Sequence, residues 1–323
     1  TLERFARYHR GAPYINEITF RFYSTTTEAL AALENRHIEG IAFIPKDQVA
    51  TYTGGPWQLY SPSLPQITGL FFNLKKEYVE DRRVREALGY ATNKEALLQD
   101  VLNGHASVAN SMYLSHDAQE SPLENPTPYD PEKAKAILAE LKFSPDGTHL
   151  PVTLTTVEQP ETMAVANAIA AQWKAVGVDV TVKTIDSAGF REQVLKDRAY
   201  DILLFGTLYG ADPDPYPFWH SSQATHPGLN LSQYANRKAD DLIEKGRKES
   251  DEAVRAETYR ALAEMINETL PAIFLYQPTY SYVTSGRIRG IDLNSIVVPA
   301  DRFGQVHEWY LKKRYRMRFT KEI

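Results

Sequence analysis

Between Pro151 and Gly206 the apolar pattern changes period four times, and this constrains the fold more than any other stretch of the chain. Residues 152–157 read as a strand. Residues 161–176 read as a helix with Ala166, Ile169, Ala170 and Trp173 on one face and Gly177 at its end. Val178, Val180 and Val182 alternate with Asp179, Thr181 and Lys183, the signature of a half-buried strand. Residues 188–196 form a short helix and 201–206 a further strand. Strands and helices alternating in this order demand parallel pairing with right-handed crossovers, so the segment is an α/β layer. In open α/β sheets ligands collect just beyond the carboxyl ends of strands. The loop after the last strand, residues 207–234, is therefore the first place to seek a site.

That loop opens with Gly206-Thr207-Leu208-Tyr209-Gly210-Ala211-Asp212-Pro213-Asp214-Pro215-Tyr216-Pro217-Phe218-Trp219-His220. Proline fixes φ and removes donors, so the loop is stiff. Rigid aromatics beside carboxylates suit the capture of a small ligand at low ordering cost. The competing reading is a packed loop whose aromatics plug the edge of the core. Asp212 and Asp214 fit a general acid and base pair, or they cap turns, as Asp-Pro commonly does; capping is favoured for at least one of them. His220 and His226 share the loop, which allows a two-histidine metal site or two surface histidines. None of the eight histidines shows a helical metal-ligand spacing, and no nucleophile elbow or glycine-rich phosphate loop occurs.

Elsewhere, residues 15–23 alternate as a strand through Ile18, Phe20 and Phe22, and residues 25–35 read as a helix. Residues 38–44 and 66–74 are buried-strand candidates. Residues 81–103 are helical, with Asn93 recapping a second segment. Residues 104–129 read as a long ordered loop, after which Asp130-Pro131 marks a helix start. Residues 237–248 and 251–269 are helices, the second capped by Asp251 and stopped by Pro271. Residues 272–276 and 281–284 are strands, and the five basic residues of 312–318 read as a solvated end. A length of 323 residues suits about two domains. The absence of cysteine excludes disulfide scaffolds, zinc–thiolate sites, iron–sulfur clusters and cysteine nucleophiles. A net charge of −5 argues against nucleic-acid binding. No apolar run reaches membrane-span length, and the start shows no signal-peptide pattern. The 19 tyrosines serve recognition surfaces or ordinary packing.

An ordered set of segments then points to a family. It comprises Arg10-Gly11-Ala12-Pro13-Tyr14-Ile15-Asn16-Glu17-Ile18, residues 29–44, and Phe72-Asn73-Leu74 with Asp81-Arg82-Arg83-Val84-Arg85-Glu86-Ala87-Leu88-Gly89-Tyr90-Ala91. It continues with Tyr129-Asp130-Pro131-Glu132-Lys133-Ala134-Lys135, Gln172-Trp173-Lys174-Ala175-Val176-Gly177-Val178, and Tyr200-Asp201 leading to Asp212-Pro213-Asp214-Pro215. Residues 236–263 and 270–276 complete it. The set resembles bacterial extracellular solute-binding protein family 5, the oligopeptide-, dipeptide- or nickel-binding components of ABC importers.

The resemblance implies a type II periplasmic-binding-protein-like α/β fold of two lobes, here lacking the N-terminal part of the first lobe; the chain corresponds to about the C-terminal three fifths of a member. Residues 1–65 and 280–323 would belong to lobe I and residues 66–279 to lobe II, with crossings near 66–73 and 274–279. It implies solute capture without covalent chemistry, delivery to an ABC transporter permease, a monomer, no cofactor and no resident metal. The compartment would be periplasmic or extracellular, with a lipid anchor on an absent N-terminal segment. The implied ligand-binding residues are Tyr209, Asp212, Asp214, Trp219 and His220, with Asn73 and Tyr276 near the crossings. Peptide-binding members place an aspartate in this loop against the ligand's α-amino group. Here their tryptophan is replaced by Thr207 and their aspartate position falls near Gly210, a departure from the peptide binders' pattern. An oligopeptide is the leading ligand, a nickel complex or oligosaccharide the alternative, and a carboxylate-dependent hydrolase the competing class.

Overall fold

The computed structural model describes residues 1–112, 122–144, 146–209, 212, 214–293 and 296–312. The chain divides into two compact units, one built from Thr1–Leu64 with the chain from Thr279 onward, the other from Pro65–Pro278.

The Pro65–Pro278 unit is organised on a six-stranded sheet. Its spatial order is Ala106–Val108, Ala272–Pro278, Gln66–Phe72, Ile202–Leu208, Leu150–Val157 and Val178–Ile185. Leu150–Val157 pairs in parallel with both Val178–Ile185 and Ile202–Leu208. This is the β-α-β-α-β layer expected from the periodicity. The remaining pairs are antiparallel: Gln66–Phe72 lies against Ile202–Leu208 and against Ala272–Pro278. The first crossover helix, Pro160–Lys174, buries Val165, Ala166, Ile169, Ala170 and Trp173, and Gly177 ends it at φ +97. A left-handed φ of this size is open to glycine without a Cβ clash. The Trp173 indole donates to Leu88 O (3.1 Å) and Thr92 Oγ1 (2.9 Å), so the ring's polar atom is satisfied inside the core. The second crossover is the single turn Ser187–Gly189, capped by Asp186, which widens into π-type turns over Phe190–Lys196.

Helix starts follow local chemistry. The side chains of Asp81, Asn93, Asp130, Asn236 and Asp251 each accept a backbone N–H of the first turn, satisfying donors that have no partner within the helix. Pro131 occupies the first helical position after Asp130. The Glu252–Thr269 helix ends on Leu270 in the left-handed region (φ 50), one residue before Pro271. Proline pushes its predecessor out of the right-handed helical region, so the stop acts one residue early.

The segment expected as a long loop is fastened by Lys94. Its ammonium is buried and donates to Ala109 O (3.2 Å), Asn110 Oδ1 (3.1 Å) and Asn125 Oδ1 (3.4 Å). Residues 113–121 of that loop lie outside the described residues. Burial among neutral acceptors lowers the Lys94 pKa from 10.5 to about 8, partly opposed by Glu95. Between these values the unfolded chain binds more protons than the folded one, so stability rises with pH across the window from about 8 to 10.5. The difference in unfolding free energy between the protein and Lys94→Met is expected to change with pH across that window and to be flat below it. Parallel urea titrations at pH 7, 8 and 9.5 check this; a difference independent of pH would remove Lys94 from the account.

The other unit contains the helix Thr26–Glu34, capped by Thr25, and a three-stranded sheet in the order Gly40–Ala42, Tyr282–Ser285, Trp57–Tyr60. Leu30, Leu33, Ile44, Val49, Tyr52 and Val283 form its main core, and Tyr280, Tyr282, Ile288 and Trp309 a second cluster. Two expectations need correction here. The strand expected over residues 15–23 is reduced to Glu17–Ile18, paired with Leu2–Glu3, and Phe22 is 95% exposed. The strand expected at residues 38–44 is Gly40–Ala42, half-buried and paired along one edge with Tyr282–Ser285. Of the basic tail, residues 313–318 lie outside the described residues. Among the described residues no helix is long and apolar enough to cross a membrane.

Candidate functional site

The 209–234 loop leaves the central sheet after Leu208 and returns to the helix Arg237–Lys248. It has an inner and an outer layer. The inner layer is apolar. Tyr209 is buried, and its hydroxyl accepts the Trp219 indole N–H at 3.3 Å; burial pushes its phenol pKa up. Trp219, on the one-turn helix Tyr216–Trp219, is 1% exposed. Its ring lies 6.1 Å from that of Phe71, 5.9 Å from Phe274 and 6.4 Å from Tyr234. The plug reading describes these two residues.

The outer layer is charged. Asp214 Oδ1 accepts the Tyr216 backbone N–H at 3.0 Å, the turn cap expected of an Asp-Pro aspartate. Its Oδ2 lies 3.1 Å from Arg247 Nε, and the Arg247 guanidinium sits 4.3 Å from the Tyr216 ring centroid. Asp212 is ion-paired with Arg255 and is 66% exposed. Tyr216 also stacks on His220, with ring centroids 4.4 Å apart. His220 Nδ1 accepts the Ser222 backbone N–H (3.1 Å), so a neutral ring carries its proton on Nε2. That Nε2 faces Glu244 Oε1 at 3.7 Å and Asp240 Oδ1 at 3.9 Å, beyond hydrogen-bond reach. Asp240 is already engaged by the Ser221 amide (2.9 Å) and hydroxyl (2.6 Å). The result is a partly open rim in which two carboxylates, two guanidiniums and an aromatic face are presented together. Such a surface can bind an ammonium through the carboxylates and a carboxylate through the guanidiniums.

The structure brings Tyr209, Asp212, Asp214, Trp219 and His220 into one loop, but it places Asn73 and Tyr276 elsewhere. Gln66 pairs with Leu208 and Phe72 with Ile202, so Asn73 leaves the sheet at the end opposite the loop's start at Tyr209, beside the loop's returning residues Ser232 and Gln233. At about 3.3 Å per residue the intervening strand separates Asn73 from Tyr209 by about 20 Å. The Asn73 amide is consumed there: Nδ2 donates to Arg198 O (2.9 Å) and Tyr200 O (3.0 Å), and Oδ1 accepts from Gln233 Nε2 (2.6 Å). Tyr276 stands level with the loop, yet a register shift between Phe274 and Tyr276 interrupts the strand's alternation. Phe274 therefore packs in the cluster containing Trp219, and Tyr276 in the cluster on the other side, with Trp173. The residues missing from the sequence-based set are Arg247 and Arg255. They stand among other charged residues on two helices, where nothing local marks them as partners of Asp214 and Asp212.

Residues 1–228 match the family described as bacterial extracellular solute-binding proteins, family 5. The chain belongs to that family. It is 25% identical over 326 residues to the oligopeptide-binding protein AppA of Bacillus subtilis, covering 95% of this chain and 58% of that protein. It is 29% identical over 229 residues to the dipeptide-binding protein of Escherichia coli, covering 68% of this chain and 42% of that protein. Among solved structures, the ABC transporter substrate-binding protein CtaP of Listeria monocytogenes superposes with a TM-score of 0.84 at 24% identity, over 96% of this chain and 63% of that one. The chain thus spans about half the length of these curated relatives, as a C-terminal portion of a family 5 member would. Its fold is the periplasmic-binding-protein-like α/β type, and the family is one of extracellular solute binders rather than enzymes.

Proposed function

We propose that this chain is part of the substrate-binding receptor of an ABC importer, which captures an oligopeptide outside the cytoplasmic membrane and delivers it to a membrane permease. The observation that carries the ligand class is the rim of the 209–234 loop. Asp214 with Arg247 and Asp212 with Arg255 present both signs of charge beside Tyr216. A peptide is a zwitterion with a polar backbone, and such a rim offers partners to both of its termini. AppA and the Escherichia coli relative are named as peptide binders, which supports the same class. A hydrolase acting through Asp212 and Asp214 is disfavoured because Asp214 caps a turn, the structural role of an Asp-Pro aspartate. A nickel site gains no support: among the described residues no cluster of three or more histidines and carboxylates could hold a metal, and His220 Nδ1 is committed to Ser222.

Native mass spectrometry of gently purified protein tests the reading directly. A ladder of added masses matching short peptides is the expected result. A single added mass corresponding to a sugar or metal complex would replace the ligand class. Asp212→Asn with Asp214→Asn is expected to weaken peptide binding by about tenfold or more, through loss of charge-assisted hydrogen bonds. The same double variant is expected to change stability by no more than about 1 kcal/mol, because partly exposed ion pairs contribute little to folding. Calorimetric titration with a free and an N-acetylated peptide separates the two effects. Equal affinities for the double variant and the parent would exclude these carboxylates from the site.

A further inference from the structure

Residues 220–234 close on themselves around one buried carboxamide, that of Asn230. Its Nδ2 donates to His220 O (3.2 Å) and Tyr234 O (2.8 Å), and its Oδ1 accepts the Tyr234 amide (3.0 Å). Its backbone N–H donates to Gln223 O (3.1 Å), and its backbone carbonyl accepts from Gln233 N (3.2 Å). Gly228 lets the two limbs of the loop meet, since a Cβ there would stand 2.2 Å from Gln223 O. The limb after Asn230 is fastened to the sheet end of the unit. Gln233 Nε2 donates to Asn73 Oδ1 (2.6 Å), Ser232 O accepts the Leu74 amide (3.1 Å), and Ser232 Oγ donates to Pro271 O (2.8 Å). The limb before it carries the rim. His220 stacks on Tyr216 with ring centroids 4.4 Å apart, the Arg247 guanidinium lies 4.3 Å from the Tyr216 centroid, and Arg247 pairs with Asp214 at 3.1 Å. Asn230 is thus a buried polar link between a limb held by the body of the unit and a limb that presents charge.

We propose that Asn230 is a positioning residue of the rim: by tying the fastened limb to His220, it holds Tyr216, Arg247 and Asp214 in the arrangement that meets a ligand. The inference rests on the peptide-receptor reading for what the rim binds, while the positioning itself rests on the geometry of the loop. The residue type fits the task. A carboxamide offers two donors and an acceptor from one small planar group, and here both donors meet carbonyls and the acceptor meets an amide. Aspartate has the same shape but would turn acceptors toward the carbonyls of His220 and Tyr234. A satisfied polar group in a low-dielectric interior rigidifies what it joins, because releasing any partner leaves a buried group unpaired. A rim fixed before the ligand arrives loses less entropy on binding. Removing the carboxamide therefore lowers affinity although no ligand contact is deleted.

Hydrogen–deuterium exchange on the protein and its Asn230→Ala variant, both free of ligand, tests the positioning. The amides of Trp219, His220 and Gln223 are expected to accelerate at least about tenfold more than those of the central strands Gln66–Phe72 and Ile202–Leu208. Equal acceleration of both sets would make Asn230 a contributor to overall stability alone and overturn the proposal. Acceleration confined to Tyr234 and its neighbours would overturn it too, since the bond to His220 would then hold nothing. Asn230→Ser, which keeps a hydroxyl in place of the carboxamide, supplies the same comparison where the alanine variant does not fold. Calorimetric titration with tetra-alanine gives the second reading, and the folded variant is expected to bind about tenfold more weakly than the parent. Equal affinities for parent and variant would overturn the proposal. A parent that does not bind the peptide counts against the receptor reading, and the exchange result then decides the role of Asn230 without it.

Discussion

Replacing Arg85 by methionine is expected to lower the stability of the Pro65–Pro278 unit by about 3–5 kcal/mol. Arg85 is 6% exposed, and its guanidinium binds four backbone carbonyls. Nε donates to Leu270 O (2.6 Å), Nη1 to Val79 O (2.9 Å) and Glu80 O (2.7 Å), and Nη2 to Thr269 O (2.8 Å). Two of these acceptors are terminal carbonyls of the Glu252–Thr269 helix, where a positive charge also complements the macrodipole. Neighbouring Arg82 adds a bond to Glu268 O at 2.8 Å. Burial lowers the Arg85 pKa to about 10, still high enough for the group to be charged at neutral pH. Methionine keeps much of the volume but strands the carbonyls. Lysine has a point charge in place of a planar fork and is expected to recover less than half of the loss. Urea unfolding followed by circular dichroism reads both variants. A loss below about 1 kcal/mol in Arg85→Met would mean that the carbonyls find other donors.

Trp219→Ala is expected to cost about 3–5 kcal/mol, the range for emptying a large aromatic site in a packed core. The ring is enclosed by Phe71, Tyr234 and Phe274 and also donates to the Tyr209 hydroxyl. Trp219→Phe keeps most of the packing and loses only that donor, so it is expected to recover at least half of the loss. The pair separates two roles for the residue. A core plug shifts the unfolding midpoint in proportion to the volume removed and leaves peptide affinity of the folded Phe variant within about twofold. A ligand-contacting tryptophan would instead lose affinity in the Phe variant with little change in stability. Denaturation and calorimetric titration of the same two proteins decide between them.

Much of the architecture is legible along the chain because it is enforced locally. Asp130-Pro131, Asn236 and Asp251 start helices through bonds to one or two amides two or three residues on, and Gly177 ends one through a backbone angle that only its own lack of Cβ makes easy. The alternation from 152 to 206 points to parallel pairing because each helical crossover carries the chain back to the sheet edge from which the strand started. The candidate loop is legible for the same reason: it follows the last strand of that layer.

The membership of the site is not local, and tertiary structure decided it. Asn73 lies about 20 Å from the start of the loop at Tyr209 because Gln66–Phe72 enters the sheet antiparallel to Ile202–Leu208, a pairing across more than a hundred residues. Tyr276 faces away from Trp219 because of one register shift in its strand. Arg247 and Arg255 reach Asp214 and Asp212 only through the packing of two late helices against the loop. Sequence by itself determined the family, the α/β layer, the helix caps and the position of the loop, since each rests on contacts within a few residues or on a periodic pattern. Which side chains meet around that loop is set by strand direction, register and helix docking, whose energies come from partners distant in sequence and leave no periodic trace in it.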